Sequence, residues 1–196
     1  MWRDATHGID VAFTQALQSV ASAPLDLVAN LNTLFGQASV TTALAALLAV
    51  VLWRRDARWA WLAAGLFIIA AGAEVALKLT LVHPPPLPEY TRAWWDPLGV
   101  QLSTPSGFPS GHIARVTFFA FFAAGLARSS RATAALLAFV AYTFWARVYI
   151  GDHWLSDAIG GLALGVATGC AAAAWIVRCR ATADPGSDRA ARRSVT

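Results

Sequence analysis

Two short runs of this chain carry side chains of the types suited to taking a phosphoryl group off an ester. One is Pro109-Ser110-Gly111-His112; the other runs from Arg147 to Asp157 and has His153 between them. Imidazole is a nucleophile or an acid-base group, carboxylate fixes an imidazole tautomer, and guanidinium binds equatorial phosphoryl oxygens. A Ser-Gly helix start offers backbone N–H groups to an anion. The chain has four histidines, and the other two, His7 and His83, have no such surroundings.

His153 and Asp157 are four apart, so on one helix they share a face. The carboxylate then accepts the proton of one ring nitrogen and leaves the other lone pair free to attack phosphorus. His112, just inside another helix, would protonate the leaving alkoxide and later take a proton from the attacking water. Ser110 fits the N-cap of that helix, and Gly111 lets a backbone amide approach an anion closely. Arg147 supplies planar donors, and Lys78, the only lysine, is a second cation at the same depth. A lone lysine near a helix end is also an ordinary snorkelling residue. Asp152, His153, Asp157 and His112 can be drawn as a metal set, but Arg147 and Lys78 beside them would repel a divalent cation and suit an anion. Neither a metal nor another cofactor is expected.

The elements that must position these groups are membrane helices. Hydrophobic residues make up 57% of the chain, charged ones 13%, and nine tryptophans are present, which is too apolar for a soluble domain of this size. Apolar runs at about 31–53, 59–82, 112–127, 132–150 and 154–177 mostly approach the roughly 20 residues a spanning helix needs. The first 30 residues mix apolar and polar side chains and read as an amphipathic segment lying in the interface. The expected organisation is an interfacial segment 1–30, a transmembrane domain 31–178 and a disordered cytoplasmic tail 179–196. If residues 8–35 also cross, five spans become six.

The arginines orient the bundle. Arg54, Arg55 and Arg58 lie between the first two runs, Arg128 and Arg131 between the third and fourth, and Arg178, Arg180, Arg189, Arg192 and Arg193 after the last. The positive-inside rule makes those segments cytoplasmic and the connection 83–110 extracytoplasmic. The helices beginning at 112 and 154 then both aim their positive ends at that connection. The net charge of +4 reflects this orientation, and no basic stripe interleaved with aromatics points to nucleic acid. Cys170 and Cys179 fall on opposite helix faces, which argues against a disulfide or a metal pair.

In arrangement and spacing the runs resemble the type 2 phosphatidic acid phosphatase (PAP2) superfamily, whose pattern is K-x6-R-P, then P-S-G-H, then S-R-x5-H-x3-D. Pro109 to His112 match the second element, and Arg147, His153 and Asp157 match the third, with Ala146 in the serine position. The resemblance covers about residues 60–170 and implies an all-α, PAP2-like polytopic bundle of five to six transmembrane helices. It also implies a metal-free phosphohistidine intermediate. The first element departs: counting from Lys78, the arginine falls on Pro85, which has neither charge nor N–H. Two substitutes are available, Arg115 on the His112 face and His83 two residues before the vacancy, and Arg115 is favoured because an arginine in an apolar span demands a partner.

The expected function is metal-independent hydrolysis of a lipid-linked phosphate or diphosphate, prenyl diphosphate among them. The expected location is the inner or plasma membrane, with the site on the extracytoplasmic face and membrane lipids as the surroundings. His153, His112 and Asp157 would do the chemistry. Lys78, Ser110, Gly111 and Arg147 would bind the phosphate, with Arg115 or His83 in the vacant place. Two alternatives are a lipid phosphotransferase using the same phosphohistidine and a non-catalytic PAP2-like protein. Oligomeric state is not legible.

Overall fold

A computed structural model describes residues 2–54, 57–95, 106–127 and 129–183. Among the described residues eight α-helices follow one another: α1 (Trp2–Gln18), α2 (Ala23–Leu31), α3 (Thr33–Gly36), α4 (Ala38–Trp53), α5 (Ala57–Thr80), α6 (Gly111–Leu126), α7 (Ser130–Tyr149) and α8 (Leu155–Ala183). A 3-10 turn at Pro88–Tyr90 lies in the long connection, and no strand occurs among the described residues. The expected all-α architecture is therefore the observed one. Of the residues that oriented the bundle, Arg55, Arg128, Arg189, Arg192 and Arg193 lie outside the described residues, as do 96–105 of the connection and 184–196 of the tail. Helix α8 itself continues past the expected tail boundary to Ala183.

Helix boundaries follow local chemistry. Pro24 occupies the first turn of α2, where its missing N–H costs nothing. Gln37, extended at ψ 143°, separates α3 from α4, and the bent pair turns by 47° there. Ser129 caps α7 by accepting Ala132 N–H. By length and apolarity α7 and residues 155–175 of α8 each suffice to cross a bilayer, and the bent α2–α3/α4 pair makes a third candidate. Large apolar side chains face outward, among them Leu47, Ile68 and Ile69, as suits a lipid-facing surface.

The most extensive helix interface joins α6 to α8. Gly161, Gly165 and Gly169 form a ridge along α8 that meets Ser110, Ala114 and Phe118 in turn. A Cβ at Gly165 would lie 2.5 Å from the Ala114 carbonyl oxygen and from Thr117 Cβ. Small residues at four-residue spacing let two backbones approach where lipid supplies no hydrophobic drive between helices. Phe67, Phe118 and Phe122 pack with Ala172 deeper in the bundle, while Ile113, Val148 and Ala158 pack beneath the site end.

Helices α1 and α2 dock on that site end. Asp10 accepts the Ser156 N–H and hydroxyl, each at 2.8 Å, at the start of α8. Asp26 takes a bidentate pair from Arg92 at 2.8 and 2.7 Å, together with the Tyr149 hydroxyl. Gln18 donates to the carbonyls of both Tyr90 and Tyr149. These bonds tie the N-terminal helices, the long connection and the end of α7 together.

Replacing Gly165 with Val should wedge α6 from α8 and cost about 1–3 kcal/mol. Thermal unfolding in detergent should show a lowered midpoint, whereas Gly72→Val, where a Cβ meets nothing within 4 Å, should leave it near wild type.

Candidate active site

The site forms where α8 begins. After Tyr149 the chain turns through Gly151, whose φ of 72° is left-handed and whose missing Cβ makes room for the Tyr90 carbonyl. Asp152 and His153 both donate their N–H groups to the Arg147 carbonyl, at 3.2 and 3.3 Å. His153 thus belongs to this turn and not to the helix, which starts at Leu155. The expected one-helix stacking of His153 on Asp157 is corrected: the turn, held by Arg147, sets the ring position.

Asp157 lies in the first turn of α8, where a carboxylate suits the helix dipole. It is fully buried. Its Oδ2 accepts the Trp154 N–H at 3.0 Å and stands 3.6 Å from His153 Nδ1, beyond hydrogen-bond length. Its Oδ1 lies 2.8 Å from His83 Nδ1. The carboxylate expected to orient His153 is therefore bonded more closely to His83.

The loop ahead of α6 closes against this carboxylate. Ser110 N–H donates to the Asp157 carbonyl at 2.9 Å, and Gly107 leaves a space that a Cβ would fill 2.8 Å from Asp157 Oδ2. Lys78 Nζ lies 3.4 Å from the carbonyls of Ser106 and Gly107. Ser106 and Gly107 are both buried. Ser110 occupies the N-cap position, but its side chain makes no capping bond. Its Oγ and His112 Nε2 are buried with no hydrogen-bond partner among the described residues. Buried polar atoms are nearly always paired, so two orphans beside one helix start mark a place where a polar ligand fits.

The two arginines are engaged. Arg147 is fully buried and donates to Asp152 Oδ2 at 2.8 Å and to Thr33 Oγ1 at 2.6 Å. Arg115 donates through Nη1 to Glu74 Oε2 at 2.6 Å and through Nε to the Gly36 carbonyl at 3.1 Å. It sits under the start of α6, since a Cβ at Gly111 would lie 2.7 Å from Arg115 Nη1. Its charge is matched by Glu74, a partner the sequence reading did not assign. Gly36 also packs directly against the His112 side chain. Glu74, Thr33, Gly36 and Asp10 are site-shaping residues that the motifs do not contain. The available signal was their polarity, or for Gly36 its size, within or beside apolar runs.

A family model for the PAP2 superfamily matches residues 78–181, more than half of the chain. The chain belongs to the PAP2 superfamily. Solved structures agree on the fold. The crystal structure of Aquifex aeolicus LpxE superimposes with a TM-score of 0.62 at 16% identity, over 84% of this chain and 94% of that one. A PAP2-type phosphatidylglycerolphosphate phosphatase from Bacillus subtilis gives 0.63 at 17% identity, over 89% and 87%. No curated protein matches by sequence. The PAP2 match begins at Lys78 and includes His83, the Ser110–His112 start of α6 and the Arg147–Asp157 segment. Thr33, Gly36 and Glu74 precede it in the chain.

Glu74→Gln strands the Arg115 charge in a buried setting and should cost about 3–5 kcal/mol. The unfolding midpoint in detergent should fall, and Glu74→Gln with Arg115→Gln should recover part of the loss.

Proposed function

We propose that this membrane protein is a metal-independent phosphatase that hydrolyses a lipid-linked phosphate or diphosphate through a phosphohistidine at His153. One observation carries the reading. The His153 turn and Asp157 meet the start of α6 through the 2.9 Å bond from Ser110 N–H, and Ser110 Oγ and His112 Nε2 lie buried there without partners. That is a dry, cation-flanked place suited to a phosphoryl group.

The residues divide the work as follows. The first amides of α6, at Gly111 and beyond, precede its first internal bond from Ala114 N–H to the Ser110 carbonyl and can bind phosphoryl oxygens. Lys78 adds charge from α5, and Arg147 holds the turn that carries His153 while lending its own positive charge. A His153 ring nitrogen attacks phosphorus; the P–O bond to the lipid breaks as the P–N bond forms, and His112 gives the leaving oxygen its proton. Water then attacks phosphorus, His112 takes a proton from it, the P–N bond breaks and inorganic phosphate leaves. Asp157 stabilises the positive charge that develops on His153. The 3.6 Å separation shortens as that charge forms, because catalytic hydrogen bonds tighten in the substrate complex.

A lipid substrate suits a site at the end of a bundle with an apolar exterior. The Bacillus subtilis neighbour, itself a phosphatidylglycerolphosphate phosphatase, supports the same class. The arginine distribution supports an extracytoplasmic site and a cytoplasmic C-terminus in the cell membrane.

Protein purified in detergent should release phosphate from one or more of phosphatidic acid, phosphatidylglycerol phosphate and a prenyl diphosphate with a chelator present. His153→Ala should lower release at least ~100-fold, the scale of losing a nucleophile. Release that needs added metal, or that survives the substitution, would sink this reading.

A further inference from the structure

The buried carboxylate of Asp157 faces two imidazoles and hydrogen-bonds only one. Its Oδ1 lies 2.8 Å from His83 Nδ1, whereas His153 Nδ1 stands 3.6 Å from Oδ2. His83 is held on both sides of its backbone. Its N–H donates to Ser106 Oγ at 3.1 Å, and its carbonyl accepts Gly107 N–H at 2.7 Å. The next carbonyl, of Pro84, accepts the Trp154 indole N–H at 3.0 Å. Pro84, Pro85 and Pro86 have fixed φ and no N–H, so the segment leaving His83 has little freedom to withdraw it. His83 stands two residues before Pro85, where the family pattern has arginine, while Arg115 is matched by Glu74 at 2.6 Å.

We propose that His83 is a positioning residue for the reaction: it shares Asp157 with His153 and so limits how much of the carboxylate's charge reaches the nucleophilic ring. The proposal rests on His153 being the nucleophile. A hydrogen bond donated to a carboxylate draws on its negative charge, and less charge beside His153 disfavours the imidazolium that cannot attack. His83 thereby draws carboxylate charge away from the attacking ring. Without it, Asp157 turns its whole charge to His153 and the protonated ring is favoured. Several charged or titratable groups face this pair. Lys78 comes from α5 beside the Ser106 and Gly107 carbonyls, Arg147 from the end of α7 and Asp152 from the turn after it. His112 and the Arg115–Glu74 pair come from α6 and α5, and His7 from α1, edge-on to Trp154 at 5.7 Å. Only the histidines among them have an ordinary pKa near neutrality.

The test is kcat/KM against pH for wild type, His83→Ala and His83→Asn on the lipid phosphate hydrolysed fastest, with His153→Ala as control. The asparagine amide donates from the place of Nδ1. The acid limb of His83→Ala should move up by about one pH unit, a further ~10-fold loss on that limb beyond any loss at high pH. His83→Asn should return the limb toward wild type. An alanine limb that superimposes on wild type or moves to lower pH overturns the proposal, as does an asparagine limb displaced as far as alanine. If alanine does not fold, His83→Gln, with its amide in the place of Nε2, substitutes for it. No phosphate release by wild type, or full release by His153→Ala, would instead remove the nucleophile reading and this proposal with it.

Discussion

A carboxylate cannot be taken out of water unless hydrogen bonds replace its hydration, and Asp157 has no exposed surface at all. Its surroundings meet that demand. One oxygen is bonded by His83, the other by the Trp154 backbone, and the residue's own carbonyl receives the Ser110 N–H. Three parts of the chain far apart in sequence are brought together by this one residue: the long connection after α5, the start of α6 and the turn before α8. Much of the site's geometry follows from satisfying that buried charge.

Depth is set by backbone contact. The glycine ridge of α8 lets α6 approach until Gly161 meets the Ser110 carbonyl, which brings the loop 106–111 against Asp157. A single added carbon along that ridge would strike backbone, so the helices cannot be spaced apart without moving the site. The same economy of size appears at Gly36, which admits the His112 side chain, and at Gly111, which admits the Arg115–Glu74 pair. Packing and the candidate site therefore share their constraints, because the residues that permit close approach also define the space beside His112 and the start of α6.

The N-terminal helices belong to this end of the molecule. Asp10 holds the first turn of α8, Thr33 accepts from Arg147, and Asp26 with Arg92 and Tyr149 fastens the connection to the end of α7. The Arg147–Thr33 bond is fully buried and the others partly so, and buried polar bonds are costly to leave unmade. A segment that reads in sequence as an interfacial appendage contributes first-turn and turn-holding contacts to the site itself.

The sequence by itself determined the all-helical membrane class, because apolar runs of this length have few other stable forms. It also singled out His112, Arg147, His153 and Asp157 as candidate site residues, since those side chains at those spacings serve few chemistries. Spacing along one chain says nothing about which distant groups a buried charge will choose. That Glu74 takes Arg115, that Thr33 and Asp152 take Arg147, and that His83 is nearer Asp157 than His153 were decided only in three dimensions. His153 showed the limit most plainly: a four-residue spacing implied a shared helix face, but the helix begins after it, and a glycine turn held by Arg147 places the ring instead. Pairing of buried polar groups depends on which helices meet and at what depth, and that is a property of the packed bundle rather than of any one segment.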